Sequence, residues 1–210
     1  MRVDGNQFRR KRMKLFLSLL GQPSSKTIRI LDIGGTASYW RATEDLWKPW
    51  SLHFTIVNLD VPPSDDGPYA IRPGNACAMP EYADNAFDLV HSNSVIEHVG
   101  HWPQMVDMAK EVRRLAPAYY LQTPNFWFPV EPHYRTVGFQ WLPESTRAAL
   151  LRDHRLGFRG PTRSYDTAMR DIQTVNLLTA TQMRELFPDA ELRRERFFGF
   201  AKSLIAIRGA

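Results

Sequence analysis

Short apolar runs alternate with longer amphipathic segments along most of the chain. The runs are four to seven residues long and rich in β-branched side chains, which is typical of buried strands. Between them, segments such as Trp102–Leu115 carry apolar residues at helical spacing, with Pro103 in the first turn. The predicted strands are Ile28–Ile33, His53–Leu59, Phe87–Val90, Ala118–Gln122, Arg196–Phe200 and Ser203–Arg208, and two further predicted helices are Tyr39–Lys48 and Thr179–Phe187.

Strands that alternate with helices predict an α/β fold with a mostly parallel sheet. The last two strands are separated by only two residues, so they predict an antiparallel hairpin at the end of the chain. In open α/β sheets, ligands bind beyond the carboxyl ends of the strands, where the strand order reverses. Residues that directly follow a predicted strand are therefore the first candidates for a functional site.

Two segments fall outside this alternation. Residues 1–22 are basic and then apolar, and we interpret them as an amphipathic N-terminal helix, because the apolar stretch is too short for a signal peptide and lacks a cleavage site. Residues 124–178 are rich in proline, aromatic residues and arginine, with little periodicity. We expect them to form a partly helical insertion after the fifth strand that covers the substrate, within a single domain spanning residues 1–210.

Composition narrows the class of protein. The chain has 210 residues, 43% of them hydrophobic, which suits one packed globular domain. Cys77 is the only cysteine, so an internal disulfide is excluded and a cytoplasmic location is expected. No apolar run is long enough to predict a membrane span. The net charge of +5 is mild for a nucleic-acid binder, and the dense basic run Arg9–Arg12 is read as a solvated helix face or as a phosphate-contacting patch.

The first predicted strand ends in an acidic residue and a glycine bend. Asp32 is followed by Gly34 and Gly35, which allow a tight turn and the close approach of a ligand. Dinucleotides and S-adenosylmethionine both bind at such bends. The dinucleotide pattern G-x-G-x-x-G fails at Thr36 and Tyr39, and Asp32 would repel a pyrophosphate while favouring a cationic amine.

Four motifs in order resemble those of class I S-adenosylmethionine-dependent methyltransferases of the type 11 group. They are the bend after Asp32, the acid Asp60 after the second strand, the Gly74–Asn75–Ala76 segment, and Phe87–Val99 with its Glu97–His98 pair. The resemblance spans roughly residues 28–123. It departs from the family at Thr36 and Ser38, where further glycines are usual, and at Leu115–Pro117, where the turn is shorter.

The resemblance implies a Rossmann-like sheet of seven strands with helices on both faces, and S-adenosyl-L-methionine as the cofactor. Physically, Asp60 can accept both ribose hydroxyls, Asn75 can meet the adenine edge, and Asp32 can meet the methionine end directly or through water. Met79 and Ala76 can pack on the adenine ring. The residues expected to bind the cofactor are Asp32, Gly34, Gly35, Thr36, Leu59, Asp60, Asn75, Ala76, His91, Ser92 and Asn93.

Methyl transfer to an alcohol benefits from a general base, and histidine is the usual one near neutral pH. We expect His133 to be that base, because it follows the fifth strand, and Glu131 to orient it or to act itself. His98 is a second catalytic candidate, although packing at a helix start is its expected role. No metal site is expected among His91, His98, His101 and His133, because no clean carboxylate set accompanies His98 and His101, which lie three residues apart. The insertion supplies aromatic rings, interpreted mainly as its own core, and six of its arginines are candidates to bind an anionic group: Arg135, Arg147, Arg152, Arg155, Arg159 and Arg163.

Together these features predict a methyltransferase acting on oxygen of a sugar or another hydroxylated small molecule, as a monomer or homodimer. Two alternatives stay open at this point. One is a methyltransferase for RNA or protein that uses the N-terminal basic run, although nucleic acid is not the expected partner. The other is a regulatory protein that binds the cofactor without turnover.

Overall fold

A computed structural model describes residues 5–209; the first four residues of the predicted N-terminal helix lie outside this range. The helices are α1 (Gly5–Leu17), α2 (Ala37–Arg41), α3 (Glu44–Trp47), α4 (Trp102–Leu115), α5 (Glu144–Asp153), α6 (Tyr165–Gln173) and α7 (Ala180–Leu186). The strands are β1 (Ile28–Ile33), β2 (Leu52–Asn58), β3 (Ser64–Asp66), β4 (Tyr69–Pro73), β5 (Leu89–Asn93), β6 (Ala118–Pro124), β7 (Val130–Glu131), β8 (Thr136–Val137), β9 (Glu191–Phe197) and β10 (Phe200–Arg208).

Eight of the strands form one sheet in the order β3-β4-β2-β1-β5-β6-β10-β9. Strand β1 pairs in parallel with β2 on one side and with β5 on the other, and β2 pairs in parallel with β4. The strand order therefore reverses at β1: the next strands along the chain lie on one side of it, and β5 lies on the other. This makes the carboxyl end of β1 a topological switch point. The predicted mostly parallel sheet is confirmed, with eight strands where seven were expected.

The extra strand is β3, an exposed antiparallel edge paired with β4. The sequence hides it because Ser64–Asp66 is short and polar, and acidic side chains on an edge strand discourage pairing with another chain. The closing hairpin is confirmed, but its turn was predicted at the wrong place: the predicted strand Arg196–Phe200 contains the turn, and residues 201–202 belong to β10. The two strands meet at Phe198 and Gly199, both with positive φ, which is the geometry of a two-residue hairpin turn.

The bounds of the helices are explained by their capping residues and by the side chains that they bury. Helix α4 matches its predicted bounds and buries Met105, Met108 and Val112. The predicted helix Tyr39–Lys48 is two short helices, α2 and α3. Helix α7 begins one residue after Thr179, whose capping box is completed by Gln182.

The chain divides into two compact units. The first unit contains the described residues up to Asn93, together with Lys110–Leu121 and residues 207–209. The second contains Ser94–Ala109 and Gln122–Ala206, and so includes the whole predicted insertion. The insertion has its own small core, in which Tyr134 and Phe139 pack against residues of α5 and α6. The interpretation of its aromatic residues as a local core is confirmed for these two rings.

Candidate functional site

The loop after β1 is held tightly against β2. Gly34 has φ 72°, and its N–H donates to the carbonyl of Val57 at 2.8 Å. The Asn58 amide donates to the carbonyl of Gly35 at 2.9 Å. Thr36 then caps helix α2 by accepting a hydrogen bond from the Tyr39 N–H. The positive φ at Gly34 explains the first glycine of the bend, because other residues adopt this conformation at a cost.

The second glycine makes room for Asp32. A Cβ added to Gly35 would lie 1.6 Å from Asp32 Oδ2, so the carboxylate fills the space that a side chain would need. Asp32 is fully buried and accepts hydrogen bonds from Trp40 Nε1 and from His91 Nδ1, both at 2.7 Å. Its carboxylate has no exposed surface with which to touch a ligand directly. Asp32 therefore acts on the loop, and on any ligand only through its neighbours.

His91 and Ser92 end β5 beside this loop and are also buried. The His91 ring stacks on Tyr120 with centroids 5.5 Å apart and meets the edge of Phe16 at 5.3 Å. Within the described residues, neither His91 Nε2 nor Ser92 Oγ has a hydrogen-bond partner. The next residue, Asn93, is half-buried and its side-chain oxygen accepts from Arg12 at 3.0 Å. These expected cofactor residues shape the wall behind the loop and present little surface to solvent.

The solvent-facing members of the set lie at the ends of three neighbouring strands. The register pairs Ile33 of β1 with Val57 of β2, and Asn58 with Pro73 of β4, so the segments that follow share one edge of the sheet. At that edge Leu59 is 67% exposed, and Asp60 is exposed with φ 50°. We call the surface formed by Gly34, Gly35, Thr36, Leu59, Asp60, Asn75 and Ala76 the cofactor face.

This face fits an adenosine group chemically. Asp60 offers a free-standing carboxylate for two ribose hydroxyls, and Leu59 offers an apolar side chain. Asn75 is exposed, and because its carbonyl oxygen already accepts from the Cys77 N–H at 3.0 Å, its amide N–H groups remain as donors to a ring nitrogen. Met79 is different: it is fully buried, so the expected packing of its side chain on an adenine ring is wrong for this conformation.

A second polar cluster lies within the other unit. Glu97, His98, Glu131 and His133 come together there, and we call them the acid–histidine cluster. His133 Nδ1 lies 2.7 Å from Glu131 Oε1, as the sequence predicted for an oriented histidine. The second oxygen of Glu131 accepts from the Tyr134 N–H at 2.6 Å, which fixes the carboxylate in place. The rings of His98 and His133 meet edge to face with centroids 4.8 Å apart.

The surroundings of His98 favour its neutral form. Burial of the ring lowers the pKa of His98, and the neighbouring His133 and Arg159 lower it further, while its contact with the carbonyl of Thr174 opposes the shift. The residue still reaches solvent, so this is a moderately screened environment. A neutral His98 has one ring nitrogen with a free lone pair at neutral pH.

A cavity of about 240 Å³ opens beside the acid–histidine cluster. Glu131 and Tyr134 line it together with the aromatic side chains of Trp102 and Phe126. Two further polar residues in its lining have uncommitted buried atoms among the described residues: Gln140 Oε1 and Arg147 Nε have no hydrogen-bond partner. An aromatic pocket with a few unsatisfied polar groups is typical of a small-molecule site.

The six candidate arginines of the insertion differ in availability. Arg152 pairs with Asp153, and Arg135 lies over the ring of Phe158 at 4.0 Å. Arg159 lies 3.6 Å from Asp171. Arg147 alone of the six lines the cavity, and its nearest carboxylate, on Glu144, is 3.8 Å away. Arg147 is therefore the arginine best placed to meet an anionic or hydroxyl group there.

Sequence reasoning missed several residues of these sites. Trp40 donates a hydrogen bond to the buried Asp32, and Gln140 lines the cavity. Arg147 was among the arginines named in the insertion, but its place in the cavity wall was not predicted. Glu97 is a fully buried carboxylate whose Oε2 accepts from Thr123 Oγ1 at 2.9 Å. The Glu97–His98 pair was the one available signal, because a carboxylate beside a histidine after a strand is a recurring site pattern.

None of the helices within residues 5–209 has the length and apolar character needed to cross a membrane. No curated protein matches this sequence. Solved structures do match, over most of this chain and at low identity, so they speak for the fold alone. A Methanosarcina mazei S-adenosylmethionine-dependent methyltransferase is 14% identical, covering 92% of this chain and 94% of its own, with a TM-score of 0.53.

In two further solved structures, the match covers a smaller share of the other chain. An O-methyltransferase family protein from Burkholderia thailandensis is 12% identical over 98% of this chain and 58% of its own, with a TM-score of 0.54. The Haemonchus contortus phosphoethanolamine N-methyltransferase 2, solved with S-adenosyl-L-methionine, is 17% identical over 88% and 38%, with a TM-score of 0.53. A family model described as a methyltransferase domain matches residues 6–193. With a glycine bend and an exposed acid at neighbouring strand ends, the chain belongs to the methyltransferase-domain family and is a class I S-adenosylmethionine-dependent methyltransferase.

Proposed function

We propose that this enzyme transfers the methyl group of S-adenosylmethionine to an oxygen of a sugar or another hydroxylated small molecule. The observation that carries the proposal is the acid–histidine cluster, which borders a cavity with aromatic walls and uncommitted polar atoms. A hydroxyl is a poor nucleophile, so its methylation requires a group that helps to remove its proton. His133, fixed by Glu131, is the group in this unit best suited to that task.

The cavity supports a small acceptor. A volume of about 240 Å³ suits a molecule of roughly one ring, and its aromatic walls suit the apolar face of a sugar or a phenol. Gln140 and Arg147 supply a hydrogen-bond acceptor and a donor whose hydrogen-bonding capacity the protein itself leaves unused. Buried polar groups of this kind reject an acceptor that lacks matching groups, so they would supply much of the specificity.

The cofactor site is proposed on the cofactor face. Asp60 accepts the ribose hydroxyls, Leu59 and Ala76 border the adenine, and Asn75 donates to a ring nitrogen. Asp32, His91 and Ser92 support the face from behind, because all three are buried. When bound, the cofactor supplies an electrophilic methyl group on a sulfonium, and the protein contributes alignment of the acceptor with that methyl.

The contacts of the N-terminal basic run give little support to RNA as the methyl acceptor. Arg10 makes a two-pronged ion pair with Asp45, and Arg12 donates to Asn93. Arg9 lies over the ring of Tyr39 at 5.5 Å. Three of the basic side chains of α1 therefore already have partners in their own unit. This supports the interpretation of α1 as a solvated helix face and not as a phosphate-binding patch.

The test is methyl transfer from radiolabelled S-adenosylmethionine into a fractionated metabolite extract, with total RNA and protein as parallel acceptors. We expect label in a small hydroxylated molecule, and loss of most of that label in His133→Ala. His154→Ala is the matched control, since it removes an exposed imidazole from the end of α5 in the same unit. Label that enters RNA or protein, and not the small-molecule fraction, would contradict the proposed acceptor class.

A further inference from the structure

Three metal-binding side chains converge within the acid–histidine cluster. Glu97, His98 and His133 each offer one donor atom, and these atoms all lie within 4.8 Å of one another. Donors on one tetrahedral or octahedral ion at about 2.1 Å stand roughly 3–3.5 Å apart. Small rotamer adjustments would therefore bring all three onto a common ion. The sequence analysis considered His98 and His133 among four histidines but found no carboxylate to join them, whereas the structure brings Glu97 to both.

The hydrogen bonds of both imidazoles engage Nδ1 and leave Nε2 as the nitrogen that could bind a metal ion. His98 Nδ1 lies 3.0 Å from the carbonyl oxygen of Thr174, so Nδ1 carries the proton. His133 Nδ1 lies 2.7 Å from the Glu131 carboxylate, which again places the proton on Nδ1. In each neutral ring, Nε2 then holds its lone pair for an external partner. Metal-bound histidines nearly always show this arrangement, with the other nitrogen donating to a carboxylate or a carbonyl.

The charge of Glu97 points the same way. Its carboxylate is fully buried, and Oε2 accepts from Thr123 Oγ1. A buried carboxylate is costly unless a positive charge or several donors lie close to it. An ion held between Glu97 and the two imidazoles would add a positive charge to the contacts that Glu97 already makes.

We propose that Glu97, His98 and His133 form a binding site for a divalent transition-metal ion. Two nitrogens and one oxygen suit Zn²⁺, Mn²⁺, Fe²⁺ or Co²⁺ better than Mg²⁺ or Ca²⁺, which prefer all-oxygen sets. Three protein ligands leave open positions on the ion, as in catalytic rather than purely structural sites.

The consequence for turnover rests on the proposed function. A hydroxyl oxygen bound at an open position would release its proton to solvent more readily, because the cation lowers the pKa of its ligand. In the loaded site His133 would then serve as a ligand through Nε2 and not as the base, and Glu131 would hold that ligand in place. Binding itself can be measured without turnover and without knowing the acceptor.

The experiment is a titration of chelator-stripped, tag-free protein with Co²⁺, followed by visible absorption, with Zn²⁺ as competitor. Glu97→Gln, His98→Ala and His133→Ala remove one ligand each, and His154→Ala is the control. Glu97→Gln keeps the volume of the buried side chain, and His98→Ala changes an exposed residue, so at least one ligand variant should retain the fold by circular dichroism. S-adenosylmethionine affinity is measured on every protein by calorimetry.

We expect saturable binding of one Co²⁺ per chain in the unmodified protein and in His154→Ala, weakened at least tenfold in each folded ligand variant. Absence of saturable binding in the unmodified protein would overturn the proposal, and so would binding that persists in the ligand variants. Normal cofactor affinity without metal binding would refute the metal site alone. Metal binding that depends on the three ligands, without cofactor binding, would instead refute the proposed function.

Discussion

Gly35→Ala tests the claim that the glycine bend exists to hold a buried carboxylate. The backbone at Gly35 is not in the left-handed region, so alanine is compatible with its conformation. The new Cβ, however, would lie 1.6 Å from Asp32 Oδ2 and 2.3 Å from its Cγ. Neither the strand backbone nor the buried carboxylate can yield that much space, so the Asp32 side chain must leave its position.

The magnitude follows from what Asp32 would lose. Its two hydrogen bonds, from Trp40 Nε1 and His91 Nδ1, are both 2.7 Å long and buried. A hydrogen bond to a charged group contributes about 1.5–3 kcal/mol, and leaving a buried donor unsatisfied costs as much again. The alanine recovers up to about 1 kcal/mol through the unfolded chain. We expect Gly35→Ala to lower the free energy of unfolding by about 3 kcal/mol or more.

The assay is urea unfolding followed by tryptophan fluorescence and circular dichroism, with Gly209→Ala as the control. Gly209 has no atom within 4 Å of its added Cβ and no positive φ, so its alanine variant should match the unmodified protein. Cofactor affinity is measured alongside, since loss of Asp32 should also disturb the loop. A Gly35→Ala protein within about 1 kcal/mol of the control would refute the reasoning, because the space beside Gly35 would then be free for a ligand.

Three other outcomes follow from the sites. Asp60→Ala should weaken S-adenosylmethionine binding by about 1–3 kcal/mol in calorimetry, as for a lost charge-assisted pair, and unchanged affinity would remove Asp60 from the cofactor face. His133→Ala should lower turnover about 100-fold or more while cofactor affinity stays within a few-fold; equal losses in both would show that the residue acts on cofactor binding instead. Burial raises the pKa of Tyr134 to about 12, above the value near 10 expected when unfolded, so the unfolded state loses its proton first and stability should fall as the pH rises through 10–12. Tyr134→Phe should lack this fall in alkaline urea unfolding, and an identical slope in both proteins would contradict the assignment.

Local patterns predicted the sheet well because its central strands are apolar and buried. Ile28–Ile33 keeps its predicted bounds, and four of its six residues are buried, so the β-branched run and the environment agree. The missed elements have different causes. Strand β4 is short and buries only Tyr69 and Ala70, so its sequence gives a weak strand signal. Strand β3 is wholly exposed, and the predicted helix over Tyr39–Lys48 breaks in two around Ala42 and Thr43, where Thr43 bonds back to the carbonyl of Trp40.

Some of the candidate site residues could be expected from the local sequence, and others depend on how distant segments pack. Asp60 and Asn75 could be predicted because they directly follow strands, and the parallel register carries neighbouring strand ends to one edge. Gln140 could not, and the sequence could not single out Arg147 among the arginines of the insertion, because both residues reach the cavity through the packing of that segment. Asp32 was identified as important for the wrong physical reason: the sequence shows an acid beside two glycines, and only the coordinates show that the acid itself fills the space.

The structure contains two carboxylate–histidine pairs with the same hydrogen-bond geometry, and their burial indicates that one has a structural role and the other a chemical role. Asp32–His91 and Glu131–His133 both join a carboxylate oxygen to Nδ1 at 2.7 Å. The His91 side chain is 2% exposed and enclosed by aromatic rings, whereas the His133 side chain is 20% exposed and its partner Glu131 lines a cavity. A histidine acts on a ligand only if its second nitrogen can be reached. His91 therefore supports the loop, and the partly exposed His133 is the histidine proposed for chemistry. The hydrogen bond alone does not distinguish the two residues; the difference in side-chain burial does.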